Sequence, residues 1–483
     1  MEQTEVAIIG SGFSGICMGI KLKQAGIHDF VILEKEDDLG GTWRDNTYPG
    51  CACDIPSYLY SFSFAPNPGW TRMFAPWDEI LGYLRDCAER YGITPHIRYG
   101  ADVTGASYSD GSWTVQVNGD DALTARALVT GVGALHDARV PDLPGLGSFA
   151  GTAFHSANWA HTHDLTGRRV AVIGTGASAI QFVPRIAPQV ERLTVFQRTA
   201  PWVTPKPDRA IGPRERAVHA RFPAGQRAIR NAFYLALELR GLGFALSPKL
   251  MKPLEVQARR HLQKQVTDPG LRARLTPDYQ IGCKRMLFSS DYYPAFARDN
   301  VDLVTERISR VTPGGVVTAD GTEHPCDTLV LATGFRVSGS LTRMRITGRD
   351  GADLNEEWKR DGNAAHLGIT VAGFPNLFLL VGPNTTLGHS SMVFMIEAQV
   401  RYVLQAIRLL HAGTPAVEVR PDVQDRFVSA IRDKLDSTVW QSGCASWYLD
   451  ERGRNTTIWP RFTFDYWWRT RQLDAGEYVV GPG

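Results

Sequence analysis

Short, largely apolar runs punctuate the chain at residues 6–9, 30–33, 127–132, 170–173, 193–196 and 328–332. Runs this brief, bounded by glycine or charged residues, read as buried strands rather than helices. Between the first two runs, and again between 170–173 and 193–196, a glycine-rich turn opens a stretch at helical spacing. That βαβ patterning occurs twice and predicts an α/β fold with two Rossmann-like nucleotide-binding domains. A mixed-charge helical pattern covers 77–91, strand-like alternation covers 112–117, and a helix is expected over 392–410. Residues 374–385 read as one more buried strand followed by a turn. Residues 208–279 carry Arg, Ala and Leu at helical spacing, which predicts a helical insertion with its basic residues on a solvated face. The turn-rich VPDLPG at 140–145 marks a boundary. We therefore expect one nucleotide domain over 1–140, a second over 146–335 with the insertion at about 208–280, and a return to the first over 336–483.

The two turns differ where specificity is set. In GSGFSG, Gly10 suits the tight turn, Gly12 the close approach of a pyrophosphate, and Gly15 the packing of helix on strand. The pyrophosphate then lies at a helix N-terminus, which favours anions. The second strand of this unit delivers Glu34, whose carboxylate accepts from a ribose 2′-hydroxyl and repels a 2′-phosphate. This site should hold FAD or NAD. In GTGASA, Gly174 and Gly176 take the glycine roles and Ala179 the permitted third position, with Ser178 inside the turn. Its second strand delivers Arg198 and Thr199, and a guanidinium suits a phosphate. This site should prefer NADPH.

Composition narrows the class without naming it. With 483 residues, 43% apolar and 21% charged, the chain is large enough for two or three domains with ample cores. A net charge of +2 gives no long-range pull toward nucleic acid or anionic membrane. The first strand starts almost at Met1 and the longest apolar stretch, 232–246, contains Glu238 and Arg240, so neither a leader nor a membrane span is expected. A cytoplasmic enzyme, monomer or homodimer, is the expectation, with no metal site. The seven cysteines are scattered and do not suggest a disulfide framework. Cys51 and Cys53, the close pair, read as ordinary buried thiols.

Between the two nucleotide units lies FAGTAFHSANW, placing Phe149, Gly151, His155 and Trp159 at the spacing FxGxxxHxxxW. Here the chain resembles the flavin-dependent Baeyer–Villiger monooxygenases, whose fingerprint has that form but ends in Pro or Asp where this chain has Ala160. A second family motif, GxWxxxxYPGxxxD, is matched by Gly41, Trp43, Tyr48, Pro49, Gly50 and Asp54. Lys284 with Arg285, the ATGF at 332–335, GPNT at 382–385 and SWY at 446–448 also match.

The resemblance implies an FAD-containing, NADPH-dependent enzyme that uses oxygen to convert a ketone to an ester or lactone through a C4a-peroxyflavin. It also implies roles for particular residues. Arg285 would stabilise the peroxide and the tetrahedral intermediate, with Asp54 orienting it, and His155 would act indirectly. Thr42 and Trp43 join the flavin site. Lys284 would contact the 2′-phosphate with Arg198 and Thr199, Asn384 would serve cofactor binding, and Trp447 would sit on a loop that closes over bound NADP. Gly388, His389 and Ser390 stand just ahead of a helix, suited either to touching a flavin or to capping. Two other readings stay open: an S- or N-oxygenating flavin monooxygenase of the same fold, and an NADPH reductase without oxygen insertion. Against a disulfide reductase, Trp43 follows Gly40–Thr42 where such an enzyme would place its first cysteine.

Overall fold

The computed structural model describes residues 2–119, 121–337, 341, 343–444 and 446–481. Its first sheet grows from the strand Glu2–Ile9, which pairs in parallel with Phe30–Leu33 on one side and Asp121–Thr130 on the other. Ile97–Arg98 extends one edge. The antiparallel strands Val103–Ser109 and Ser112–Val117 extend the other. Two strands from much later in the chain complete it: Arg345–Thr347 pairs with Val103–Ser109, and Leu377–Leu379 with Asp121–Thr130. Helix Phe13–Gln24 lies between this sheet and the helix Met392–His411, so Ile16, Cys17, Met18 and Ile20 are all buried. A helix covered on both sides must be apolar nearly all round, which is why its amphipathic pattern is weak.

The second sheet is parallel throughout. Its order is Val301–Val304, Arg192–Phe196, Arg169–Ile173, Thr328–Leu331, Thr152–His155. Between Arg192–Phe196 and Val301–Val304 the chain leaves to form helices Pro213–Arg221, Pro223–Ala245, Lys252–Gln265 and Pro269–Arg274. The parallel strands Val203–Thr204 and Leu287–Phe288 clasp the base of this excursion. One expectation for the insertion needs correcting. Arg230 does not join a solvated face: its Nη1 donates to the carbonyls of Tyr58 at 2.9 Å and Ser61 at 2.8 Å, and burial lowers its pKa. That arginine pins the insertion onto the first lobe by capping carbonyls that would otherwise be buried unpaired. Among the described residues, no helix is long and apolar enough to cross a membrane.

Gly15 illustrates how tightly strand, turn and helix meet. A Cβ there would fall on the carbonyl oxygen of Gly10, a backbone atom that cannot swing aside. Helix propensity alone would favour alanine by about 1 kcal/mol, so the contact decides the sign. Gly15→Ala should destabilise the protein by about 1–3 kcal/mol, seen as a thermal midpoint lowered by several degrees. An unchanged or raised midpoint would contradict this packing.

Candidate functional site

The carboxyl ends of both sheets open into one cleft of about 2710 Å³, far above the roughly 300–1,000 Å³ of a typical small-ligand pocket. Its wall includes Gly10, Gly12, Glu34, Gly41, Thr42, Trp43 and Asp54 from the first lobe. Gly174, Gly176, Ser178, Arg198, Thr199, Lys284, Arg285 and Trp447 line the remainder. Sequence reasoning nominated all of these, and the fold brings them to one space.

At the first turn, Gly10 has a φ of 95°, and helix Phe13–Gln24 starts at Gly12 with no side-chain cap and no acidic residue in its first turn. The Cβ of a larger residue at Gly12 would sit 3.8 Å from Gly41 Cα and 4.0 Å from the Gly40 oxygen, filling the hollow between two glycine turns. The hollow therefore presents free helix N–H groups and no side chain, the requirement for a pyrophosphate. Glu34 is 4% exposed. One carboxylate oxygen accepts from Ser11 N at 3.0 Å and Ser11 Oγ at 2.6 Å; the other accepts from Glu36 N at 3.1 Å and pairs with Arg44 at 2.9 Å. Burial pushes this acid's pKa up, but the Ser11 bonds and Arg44 outweigh it, and the net shift is downward. Arg44, which the sequence did not flag, thus keeps a buried carboxylate ionised at the cleft wall.

The second turn repeats the backbone and inverts the charge. Gly174 has a φ of 111° and sits against the backbone of Ala332, while no atom lies within 4 Å of a Cβ placed on Gly176. Arg198 is exposed on the cleft wall, and Thr175 donates to the Thr199 carbonyl at 3.3 Å. The Lys284 ammonium stands 4.6 Å from the centroid of the Tyr279 ring. Its pKa is lowered, first by burial and then by Arg198. Two cations held near each other at a cost are relieved by an anion placed between them.

At the junction of the lobes, Arg285 donates from Nε and Nη2 to one oxygen of Asp54, at 3.0 and 2.5 Å, and from Nη1 to the Leu387 carbonyl at 3.4 Å. Asp54 raises the arginine's pKa well above its usual value. Beside the pair, Trp43 donates to the hydroxyl of Tyr60 at 3.2 Å, and burial raises the Tyr60 pKa strongly. Burial likewise pushes the Tyr448 hydroxyl up to about 12, although Arg285 draws it down. Thus Arg285 meets one carboxylate and several neutral, largely apolar neighbours.

His155 and Asn384, also nominated, lie off this wall. His155 ends its strand beside the 332–335 turn, 5% exposed, its Nδ1 accepting from Ala157 N at 3.1 Å and its ring 5.9 Å from that of Phe335. Asn384 is buried with its amide donating to the carbonyls of Asn455 and Ile458 at 3.1 and 3.2 Å, so it ties down the C-terminal segment instead of facing the cleft. Three residues earlier, Val381 holds a φ of 60°, a strained conformation for a β-branched residue, with its N–H on Gln399 at 3.0 Å. Ser391, not one of Gly388–Ser390, caps helix Met392–His411, and Ser390 just ahead of it lines the cleft.

Several contacts were not legible in the sequence. Gln181 exchanges two hydrogen bonds with the backbone of Ala52, at 2.9 and 3.1 Å, so the YPG segment is fastened to the helix that follows the second turn. The reading of the cysteines as scattered, with no disulfide framework, also missed one pairing. Cys51 and Cys53 are free buried thiols, but Cys283 and Cys444 form a disulfide across a separation of 161 residues. Scattered positions in sequence say nothing about proximity once the chain folds back.

Comparison with known proteins agrees with this geometry. A family model described as pyridine nucleotide-disulphide oxidoreductase matches residues 7–219. A Baeyer-Villiger monooxygenase of Streptomyces coelicolor is 47% identical over 485 residues, covering 99% of this chain and 93% of its own length. Another of that name, from Pseudomonas aeruginosa, is 48% identical over 479 residues, covering 98% of this chain and 91% of its own. A crystal structure of OTEMO in complex with FAD and NADP superposes with a TM-score of 0.88 at 30% identity, covering 99% of this chain and 98% of that one.

Burial is the first cause lowering the pKa of His155. The folded state therefore binds a proton less readily than the unfolded chain, whose histidine titrates at about 6.5. Stability should fall as pH drops below that value, since only the unfolded chain gains the proton. In denaturant titrations, His155→Gln should lose less stability between about pH 7 and 5 than the parent. An equal loss in both would show that His155 does not contribute.

Proposed function

The chain belongs to the Baeyer–Villiger monooxygenases, an FAD- and NADPH-dependent group, and on that footing we propose which of its residues perform the reaction. The supporting observation is the Arg285–Asp54 pair, set in the cleft that both glycine turns share. The hollow at Gly12, Glu34 and Thr42 fits FAD; the open turn at Gly176, with Arg198, Thr199 and Lys284, fits a 2′-phosphorylated nicotinamide nucleotide. When bound, FAD supplies the hydride acceptor and the activation of oxygen, and NADPH supplies the hydride.

Arg285 is the fixed cation for the insertion step. Of its five N–H donors, three are engaged by Asp54 and Leu387, which leaves two for an oxygen bearing developing negative charge. Preorganised in this way, the guanidinium needs no reorientation as charge builds on the ketone oxygen. Arginine also stays protonated through the cycle, whereas a lysine loses its proton more readily as it is desolvated. Asp54 is the positioning residue that fixes its plane. Trp43, Tyr60, Ile55, Leu387 and Ile396 supply an apolar wall around it, which excludes water and favours a ketone with an apolar body. His155 acts through the 332–335 turn rather than on the substrate. We also assign 1–140 and 336–483 to one nucleotide domain and 146–335 to the other. In support, the strands Arg345–Thr347 and Leu377–Leu379 pair into the first sheet.

The reading is tested by offering apolar cyclic and open-chain ketones with NADPH and oxygen, and measuring ester or lactone against NADPH consumed. Arg285→Ala should lose ester formation by about 10²–10³-fold while NADPH oxidation continues. Ester at the parent rate in that variant would defeat the assignment.

Nucleotide preference gives a second test. Arg198→Ala should raise the KM for NADPH by about 10–100-fold, the loss of one charge-assisted phosphate contact, and leave that for NADH nearly unchanged. Equal effects on both would remove Arg198 from the phosphate site.

A further inference from the structure

The Cys283–Cys444 disulfide joins two segments that meet at the cleft. Cys283 immediately precedes Lys284 and Arg285, and Cys444 precedes Trp447 and Tyr448 by three and four residues. Their Cα atoms are 6.3 Å apart, and Cys283 is wholly buried among Trp440, Tyr448 and Met286. Cys444 is only half-buried and follows the exposed Ser442 and Gly443. On its far side, Trp447 stands on the cleft wall 37% exposed, its ring centred 4.4 Å from that of Tyr448 and tilted 57° to it. Tyr448 is buried beside Arg285, and its hydroxyl has no hydrogen-bond partner. The bond therefore ties the strip carrying Trp447 to the strip carrying the phosphate-site lysine and the reaction's arginine.

We propose that this disulfide is a thiol-exchange site through which a dithiol reductant sets how firmly the nucleotide cleft is closed. This rests on the nucleotide site assigned above. Without the bond, Trp447 is held by the packing of Tyr448 and by contacts further along, such as the bridge between Leu449 and Asn455 and the ion pair of Arg454 with Asp450. With it, the open arrangements of the segment are largely removed, because a cross-link restricts a loop's alternatives more than it adds contacts. Glycine at 443, with a φ of 93°, provides a backbone joint beside Cys444.

The chemistry balances without the flavin. A thiolate of the reductant attacks the accessible Cys444 sulfur, the Cys283–Cys444 bond breaks, and Cys283 leaves as a thiolate that takes a proton. The reductant's second thiol then displaces Cys444, leaving two thiols on the chain and one disulfide on the reductant. In the reverse direction a hydroperoxide oxidises the Cys444 thiol to a sulfenic acid, releasing water or an alcohol. Attack by Cys283 on that sulfur closes the bond and releases water. In a reducing compartment such bonds are mostly transient, so exchange, not permanent reinforcement, is the use that an exposed partner sulfur suits.

The test uses full-length holoenzyme treated with hydrogen peroxide or with dithiothreitol, and the Cys444→Ser variant. Peptide mapping should show the Cys283–Cys444 cross-link after peroxide and two alkylated thiols after dithiothreitol. Titration with NADP⁺, followed by tryptophan fluorescence, should give a Kd about tenfold weaker in the reduced form, as for a closed state whose population falls to about a tenth. Cys444→Ser should match the reduced form and ignore both reagents. Failure of the cross-link to form, or a Kd independent of the thiol state, would overturn the proposal. An enzyme that made no ester in either state, while its NADP⁺ affinity followed the disulfide, would sink the catalytic reading and sustain this one.

Discussion

A guanidinium in a cleft with apolar walls must be kept both charged and motionless, and everything around the site serves that constraint. Asp54 meets it by accepting two N–H groups on one oxygen, across 231 residues of sequence. The pair is partly buried, each side chain between a quarter and a third exposed, so its attraction is screened less than that of a surface pair. Removing either member leaves the other desolvated and uncompensated, which costs more than the pair itself contributes. Neither sheet supplies this geometry alone. Asp54 follows the first nucleotide unit, and Arg285 ends the helical insertion that interrupts the second.

The remaining contacts keep those two segments in register. Gln181 grips the backbone of Ala52, two residues before Asp54, from the helix that follows the second glycine turn. Arg230 secures the insertion to the carbonyls of Tyr58 and Ser61 just beyond it. Each is a polar side chain satisfying backbone groups of the opposite lobe. Such bonds cost stability when half-made and specify one arrangement when complete. The opposing nucleotide turns are thereby held across one space, with an ionised Glu34 on one side and Arg198 with Lys284 on the other.

The doubled nucleotide fold was legible because its signals are local: an apolar run, glycines at fixed offsets, and the charge at the end of the next strand. The same locality explains what was missed. Arg44 lies ten residues from Glu34, but its partnership depends on the chain turning back through Gly40 and Gly41. The disulfide joins cysteines that look unrelated along the chain, and Asn384 proved to brace the C-terminal segment through contacts no spacing encodes. Arg285 and Asp54 could be nominated only through their motifs. No local rule pairs two residues so far apart, and the fold was needed to show them in contact.

The most direct test of that pairing is a double-mutant cycle on the rate of ester formation, comparing Asp54→Ala, Arg285→Ala and the combined variant. If Asp54 acts by positioning Arg285, the combined variant should be no slower than Arg285→Ala alone. Effects that multiply would show two independent roles and contradict the account.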